Sequence, residues 1–128
     1  QMCIRDRNNE STQIITQEFI EDIYEGDFRI LIIHGKPFKK TLARIPQGDS
    51  FKGNLAAGGK GVVKDISDFQ FEMASEIGDF LIQKDINFAG IDVIGNFLTE
   101  INVTSPTCAR QILDQSGENP IQEYFEKL

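Results

Sequence analysis

Short apolar runs rich in β-branched residues recur along the chain between turn-forming residues, a pattern that predicts β-strands. Two such runs flank Gly95-Asn96, a dipeptide typical of a tight turn, and predict a hairpin from Asp92 to Asn102. On the second run Glu100 and Asn102 lie two residues apart, so their side chains should project from one face. A carboxylate beside a carboxamide supplies the hard oxygen ligands that Mg²⁺ prefers.

Whether Asp92 joins this candidate metal site depends on the turn. A strict two-residue turn at Gly95-Asn96 pairs Asp92 with Thr99, and the Asp92 carboxylate then faces away from Glu100. A three-residue loop that ends at Phe97 pairs Asp92 directly with Glu100. The sequence leaves both registers open, and a polar hairpin that binds no metal is a further alternative.

The remaining pattern predicts an α+β fold. Further strands are predicted at Ile14–Ile20, at Arg29–Ile33, from a turn at His34–Pro37 through Arg44, and at Gly61–Ile66. Two helices and a short amphipathic tail follow these strands. The first helix should start after Ser67, because Gln70 completes a capping box with it. Its predicted core face is the stripe Phe69, Met73, Ile77, Phe80 and Leu81. The second helix is predicted at Ala109–Asp114, and Gly117–Pro120 separates it from the tail.

A glycine-rich segment interrupts this pattern. Five of the 11 glycines lie between Gln47 and Gly61, and Arg44, Lys52 and Lys60 add positive charge to a chain of net charge -7. Glycine lets a backbone approach a ligand closely or hinge. Long loops without structure are uncommon in compact domains. The segment is therefore either a mobile surface insertion or a lid that closes over an anionic substrate.

Three blocks of the sequence stand out together. They read Ala-Arg-Ile-Pro-Gln-Gly from Ala43, Gly-Asn-Leu-Ala-Ala-Gly-Gly-Lys-Gly from Gly53, and Leu-Thr-Glu-Ile-Asn-Val-Thr-Ser-Pro-Thr-Cys from Leu98. In content, order and spacing they resemble the bacterial glutathione synthetase family of ATP-grasp ligases. The similarity covers roughly Thr16 to Ser116. It implies a carboxy-terminal ATP-grasp subdomain, mainly an antiparallel sheet with packed helices, which is incomplete relative to the longer members of that family.

The resemblance also implies a division of the chain. Residues 1–7 have no counterpart in the family pattern, and we expect them to be a non-native leader. Residues 8–128 would then form a partial ATP-grasp domain whose glycine-rich lid loop spans 46–61.

Several site residues follow from the resemblance. Glu100, Asn102 and Asp92 would ligate Mg²⁺, for which Mn²⁺ could substitute. Arg44 would contact the transferring phosphoryl group, with Arg29 assisting, because guanidinium is always charged and binds oxygens in pairs.

The resemblance assigns nucleotide and substrate contacts as well. ATP would be bound by the hinge residues Gln17, Glu18, Phe19 and Ile20, by Asp27 at the ribose, and by Asn54, Gly58 and Gly59 of the lid loop. Ser105 and Thr107 would bind a substrate carboxylate, or alternatively one of their hydroxyls caps the following helix. Lys60 stands where the family pattern leads us to expect arginine.

The implied reaction is ATP-dependent ligation of γ-glutamylcysteine to glycine through an acyl phosphate, although we expect the chain alone to be inactive. Another ATP-grasp carboxylate–amine ligase and a non-catalytic nucleotide-binding module remain alternatives. A homotetramer is expected for the full-length protein. The acidic balance argues against nucleic-acid binding, and no apolar run of about 18 residues suggests a membrane span. Two cysteines indicate no disulfide framework, so we expect a cytoplasmic location.

Overall fold

The computed structural model describes residues 18–47 and 60–128. A short 3-10 helix at Glu21–Tyr24 precedes the sheet. The strands are β1 Asp27–Ile33, β2 Lys36–Pro37, β3 Lys40–Ile45, β4 Lys60–Asp65, β5 Phe88–Ile94 and β6 Phe97–Asn102, and the helices are α1 Asp68–Ile82, α2 Ala109–Ser116 and α3 Pro120–Glu126. The strands lie in the order β4-β3-β1-β5-β6, with β2 paired to β1. Each of these pairings is antiparallel. The predicted α+β fold is confirmed.

Helices cover both faces of the central strands β1 and β5. On one face Ile30 and Ile91 pack with Leu81 of α1. On the opposite face Leu31 packs with Ile112 of α2. This two-sided burial explains why β1 and β5 read as nearly continuous apolar runs rather than as alternating ones.

Helix α1 begins as predicted. The Ser67 hydroxyl accepts a hydrogen bond from the Gln70 backbone N–H at 3.2 Å, and the Gln70 side-chain oxygen accepts one from the Ser67 N–H at 3.1 Å. The reciprocal pair satisfies two of the N–H groups that a helix start leaves unpaired.

The predicted core face of α1 is wrong at two positions, because Phe69 and Phe80 are 44% and 56% exposed. The buried positions include the small residues Ala74 and Gly78. A Cβ on Gly78 would collide with the carbonyl oxygen of Gly35 in the β1–β2 turn. The helix therefore approaches the sheet along its small residues, which turns both aromatic rings outward.

The predicted strand at Ile14–Ile20 is not formed where it can be observed. Residues 14–17 lie outside the described residues, and Glu18–Ile20 has no strand assignment. The strands predicted near Arg29–Ile33, through Arg44 and at Gly61–Ile66 correspond to β1, β3 and β4.

The outer edge of β4 contacts a side chain of α2. The Gln115 side-chain oxygen accepts a hydrogen bond from the Val63 backbone N–H at 2.9 Å, and its nitrogen donates to the Gly61 carbonyl at 3.1 Å. Because β4 is the outermost of the described strands on that side, Gln115 satisfies backbone groups that a neighbouring strand would otherwise bind.

Of the helices in ranges 18–47 and 60–128, none is both long enough and apolar enough to cross a membrane.

Gly78→Ala tests the close approach of α1 to the β1–β2 turn. We expect it to lower the free energy of unfolding by about 1–3 kcal/mol, the usual cost of overpacking. It should do so although alanine favours a helix interior by about 1 kcal/mol over glycine. Urea unfolding measures the change. Glu76→Ala, at an exposed position of α1, is the control and should stay within about 0.5 kcal/mol of wild type. A Gly78→Ala variant at least as stable as wild type would contradict the packing.

Candidate active site

The hairpin combines features of both registers left open above. Ile94 pairs with Phe97, so the turn contains only Gly95 and Asn96, as the two-residue alternative requires. A bulge between Asp92 and Val93 then shifts the pairing by one residue, and Asp92 lies opposite Glu100. Thr99 is the extra residue, and its hydroxyl donates to the Asp92 carbonyl at 3.1 Å. The bulge therefore returns Asp92 and Glu100 to the same face.

Asp92 is the centre of a buried ion cluster on that face. Arg29 Nε and Arg29 Nη2 each donate to one oxygen of the Asp92 carboxylate, the second at 2.9 Å. Arg44 Nη2 lies 2.7 Å from Asp92 Oδ2 and also binds Asp27. The sheet register makes these pairs direct cross-strand neighbours, Arg29 opposite Asp92 and Asp27 opposite Arg44. Two positive and two negative side chains are thus held together by strand pairing alone.

Burial makes this cluster electrostatically strong. Arg29 and Asp92 are each only 4% exposed, so water screens their attraction weakly. Burial on its own would raise the pKa of Asp92, but the hydrogen bonds from Arg29 and Arg44 outweigh it and hold that pKa below its ordinary value of 3.8. Burial raises the pKa of Asp27 above 3.8, in spite of the opposing charge of Arg44.

Three polar atoms of the cluster are buried and have no hydrogen-bond partner among residues 18–47 and 60–128. They are Arg29 Nη1, Arg44 Nε and Asp27 Oδ1. Buried polar groups in proteins are normally hydrogen-bonded, so such atoms call for an explanation. Two of the three are guanidinium donors, which suit the oxygen of an anionic group.

Glu100 and Asn102 lie on the same face as Asp92, since Asn102 pairs with Gly90 two residues from the Asp92–Glu100 pair. Two carboxylates and an amide oxygen are the right donor types for Mg²⁺. In this conformation, however, both Asp92 oxygens bind arginine, and Asn102 Oδ1 accepts from the N–H groups of Thr104 and Ser105 at 3.1 Å each. Across residues 18–47 and 60–128, no three His, Cys, Asp or Glu side chains are grouped closely enough to hold a metal ion. The three residues therefore fit in type and in face, but only Glu100 presents an exposed carboxylate.

Ser105 and Thr107 are both exposed and lie between β6 and α2. The alternative in which one of them caps the helix is wrong. The N-cap of α2 is Cys108, with φ of 88° and no side-chain cap. The exposed hydroxyls remain accessible to a ligand.

A cavity of about 460 Å³ joins the hinge residues to the hairpin. Glu18, Phe19 and Ile20, three of the residues predicted to bind ATP, lie along its lining. Its opposite wall is formed by Phe97, Leu98 and Thr99, which sequence reasoning did not single out. The sequence could have pointed to them, because two apolar residues directly after a tight turn on an edge strand are exposed unless something covers them.

Most of the predicted lid loop, residues 48–59, lies outside the described residues. Gln17, Asn54, Gly58 and Gly59 lie outside the described residues. Lys60 is exposed at the start of β4, where it pairs with Ile45.

Comparison with known families identifies the domain to which the chain belongs. The sequence model described as "Prokaryotic glutathione synthetase, ATP-grasp domain" matches residues 3–117. The chain belongs to the prokaryotic glutathione synthetase family, within its ATP-grasp domain. The fold above is thus that of a partial ATP-grasp domain.

Curated relatives in this glutathione synthetase family are similar over most of the chain. Glutathione synthetase of Xylella fastidiosa (strain 9a5c) is 46% identical over 117 residues, which is 91% of this chain and 37% of the relative. That of Xanthomonas campestris pv. campestris is 50% identical over 114 residues, 89% of this chain and 36% of the relative. That of Nitrosomonas europaea is 52% identical over 106 residues, 83% of this chain and 33% of the relative. The chain spans about a third of the length of these relatives.

Replacing each aspartate of the cluster by asparagine should change the pH dependence of stability in opposite directions. The native pKa of Asp92 is lowered, so its contribution is present above pH 3.8 and is lost as the pH falls through the native value. The native pKa of Asp27 is raised, so stability falls as the pH rises from 3.8 through that raised value. Asp92→Asn should therefore remove a loss of stability that the wild type shows as the pH falls below 3.8. Asp27→Asn should remove a loss of stability that the wild type shows as the pH rises above 3.8.

The measurement is the urea unfolding free energy from about pH 2.5 to 7. Asp92→Asn should also cost roughly 3–5 kcal/mol at neutral pH, because it leaves Arg29 without its charge partner. Parallel pH profiles for the two variants would contradict the assignment of the shifts.

Proposed function

We propose that this chain is the carboxy-terminal part of an ATP-dependent ligase that joins γ-glutamylcysteine to glycine. The observation that carries the proposal is the buried pair Arg29 and Arg44. They share Asp92, and each retains a donor nitrogen that is unpaired within the part of the chain that the structure describes. Membership in the prokaryotic glutathione synthetase family supports the substrates, because the curated relatives are named for this synthesis.

The proposed reaction has two steps. A carboxylate oxygen of γ-glutamylcysteine attacks the γ-phosphorus of ATP, the bond from that phosphorus to the ADP oxygen breaks, and an acyl phosphate forms. The glycine amine then attacks the acyl carbon, forms the C–N bond, loses a proton and expels phosphate. Negative charge on oxygen must be stabilised in both steps, and phosphoryl transfer depends mainly on positioning and charge.

The arginines suit that role because they are already desolvated and aligned. Asp92 fixes Arg29 through two hydrogen bonds, so little reorganisation is needed when a phosphoryl oxygen arrives. Arg29 Nη1 and Arg44 Nε are the donors left for that oxygen. In this proposal Arg44 contacts the transferring phosphoryl group and Arg29 assists beside it.

Glu100, Asn102 and Asp92 would hold the Mg²⁺ that ATP brings. When bound, that ion would neutralise charge on the phosphate oxygens. Asp92 would have to give up part of its arginine pairing to ligate the ion, whereas Glu100 is exposed already. The exposed hydroxyls of Ser105 and Thr107 would bind a carboxylate of the substrate.

The cavity between the hinge and β6 would take the adenine of ATP. Its lining combines the apolar residues Phe19, Ile20 and Leu98 with polar residues that include Glu18 and Thr99. An adenine ring needs an apolar wall and a few polar groups that fix its orientation. Asp27 would then lie toward the ribose, although it already binds Arg44.

A ligation assay on a full-length protein that carries this sequence tests the proposal. We expect glutathione and ADP to form only when ATP, γ-glutamylcysteine, glycine and Mg²⁺ are all present. Glu100→Gln should abolish turnover and serves as the inactive control. The 128-residue chain alone should be inactive. Product with a different carboxylate substrate but none with γ-glutamylcysteine would indicate another ATP-grasp ligase, and ATP binding without any product would indicate a non-catalytic module.

Leu98→Ala tests the cavity. The loss of apolar wall area should raise the KM for ATP by about tenfold, which corresponds to about 1.4 kcal/mol. The value of kcat should stay unchanged, because the interaction is made equally in the ground state and the transition state. Ile101→Ala is the matched control, since Ile101 is also exposed on β6 but does not line the cavity. Equal KM values for the two variants would place the adenine elsewhere.

A further inference from the structure

Gly90 occupies a tightly enclosed position on β5, two residues before Asp92. It is buried and pairs with Leu31 on one side and with Asn102 on the other. A Cβ built on Gly90 would lie 2.7 Å from Pro106 Cβ, 3.0 Å from Arg29 Cδ and 3.4 Å from Arg29 Nη1. Gly90 is not among the residues with positive φ. Glycine is therefore required here because a larger side chain would clash with Pro106 and Arg29, and not because of the backbone conformation.

Pro106 reaches Gly90 because the loop after β6 is fastened at its start. Asn102 Oδ1 accepts hydrogen bonds from the N–H groups of Thr104 and Ser105. Pro106 is half-buried between two exposed neighbours, and the chain then turns at the buried Cys108. The proline ring is thus the part of the loop that rests on the sheet, and it rests on the one position of β5 that has no side chain.

Arg29 lies against the same spot. One edge of its guanidinium, Nε with Nη2, binds Asp92. The other nitrogen, Nη1, lies close above Gly90 and has no acceptor among the described residues. The direction of this unpaired donor is therefore set by Asp92 on one side and by Gly90 with Pro106 on the other.

We propose that Gly90 and Pro106 are positioning residues that together form a slot for Arg29 and aim its Nη1 donor at the reacting phosphoryl or acyl-phosphate oxygen. This inference rests on the proposed ligase function. Neither residue touches substrate. Their effect is exerted through Arg29, and even a shift of about 1 Å in a catalytic group can lower turnover by two orders of magnitude.

The test uses a full-length protein that carries this sequence. Gly90→Ala should lower kcat by about tenfold or more, while the KM for ATP stays within about twofold, because the adenine cavity shares no residue with the slot. In an Arg29→Ala background, Gly90→Ala should have no further effect on kcat, since the group through which it acts is gone. Equal losses in both backgrounds, or wild-type kcat in the folded single variant, would overturn the inference.

Gly117→Ala is the control for adding a methyl group. Nothing lies within 4 Å of a Cβ at Gly117, although its φ of 77° strains an alanine there. This variant should lose some stability and keep its kcat, which separates positioning from general destabilisation.

The slot can also be tested without the ligase assay. Gly90→Ala should lower Tm, and adding Pro106→Gly, which removes the closest atom, should restore part of that loss relative to Pro106→Gly alone. Adding Pro106→Ala, which keeps that Cβ, should restore less. If neither double variant recovers any stability, the contact is absent and the inference fails. If the wild-type protein makes no glutathione but this recovery is seen, the proposed function fails while the slot stands.

Discussion

The sharing of one buried carboxylate, Asp92, by two buried arginines is the interaction on which the rest of the site depends. Removing charged groups from water is costly unless each is paired and hydrogen-bonded. Here Arg29 and Arg44 are matched by Asp92 and Asp27, so the cluster is neutral as a whole. The partners come from β1, β3 and β5, which must therefore keep a single register. A slip of one residue in any of them would send a charge to the apolar face beneath α1.

The same sheet face is apolar at one end and charged at the other. Along β1, Leu31 and Ile33 pack against residues of α2 and α3, whereas Arg29 and Asp27 belong to the ion cluster. The apolar end stabilises the strands, and the charged end can be used for chemistry because its geometry is set by the same strands. A binding site on paired strands is held more rigidly than one on loops.

Much of this arrangement follows from the sequence, because strands and caps are local features. The hairpin around Gly95-Asn96 and the capping box at Ser67 depend on residues close together in the chain, and both were predicted, although the length of the turn was left open. The bulge at Asp92 was not predicted. The bulge depends on which of two registers buries the better set of side chains. That comparison can be made only when the position of the neighbouring strand is known. The ion cluster was missed for the same reason, since Arg29 and Asp92 are 63 residues apart.

The orientation of α1 was misjudged for a different physical reason. Helical periodicity favours the face with the largest apolar side chains, and Phe69 and Phe80 belong to it. The helix instead presents Gly78 to Gly35, because close backbone approach requires the smallest residues. The cavity wall at Phe97 and Leu98 was also overlooked, since only the fold brings an edge strand opposite the hinge.

Because of the Gln115 side chain, the two edges of the sheet differ in how readily another strand could pair with them. Its amide presents to β4 the same donor and acceptor that an added strand would, so a second polypeptide could join there only by displacing it. At the far border, β6 carries the exposed side chains of Leu98 and Ile101. Open sheets can self-associate when a strand of another molecule pairs with their edge. This is discouraged at β4, the strand that follows the glycine-rich segment in the chain.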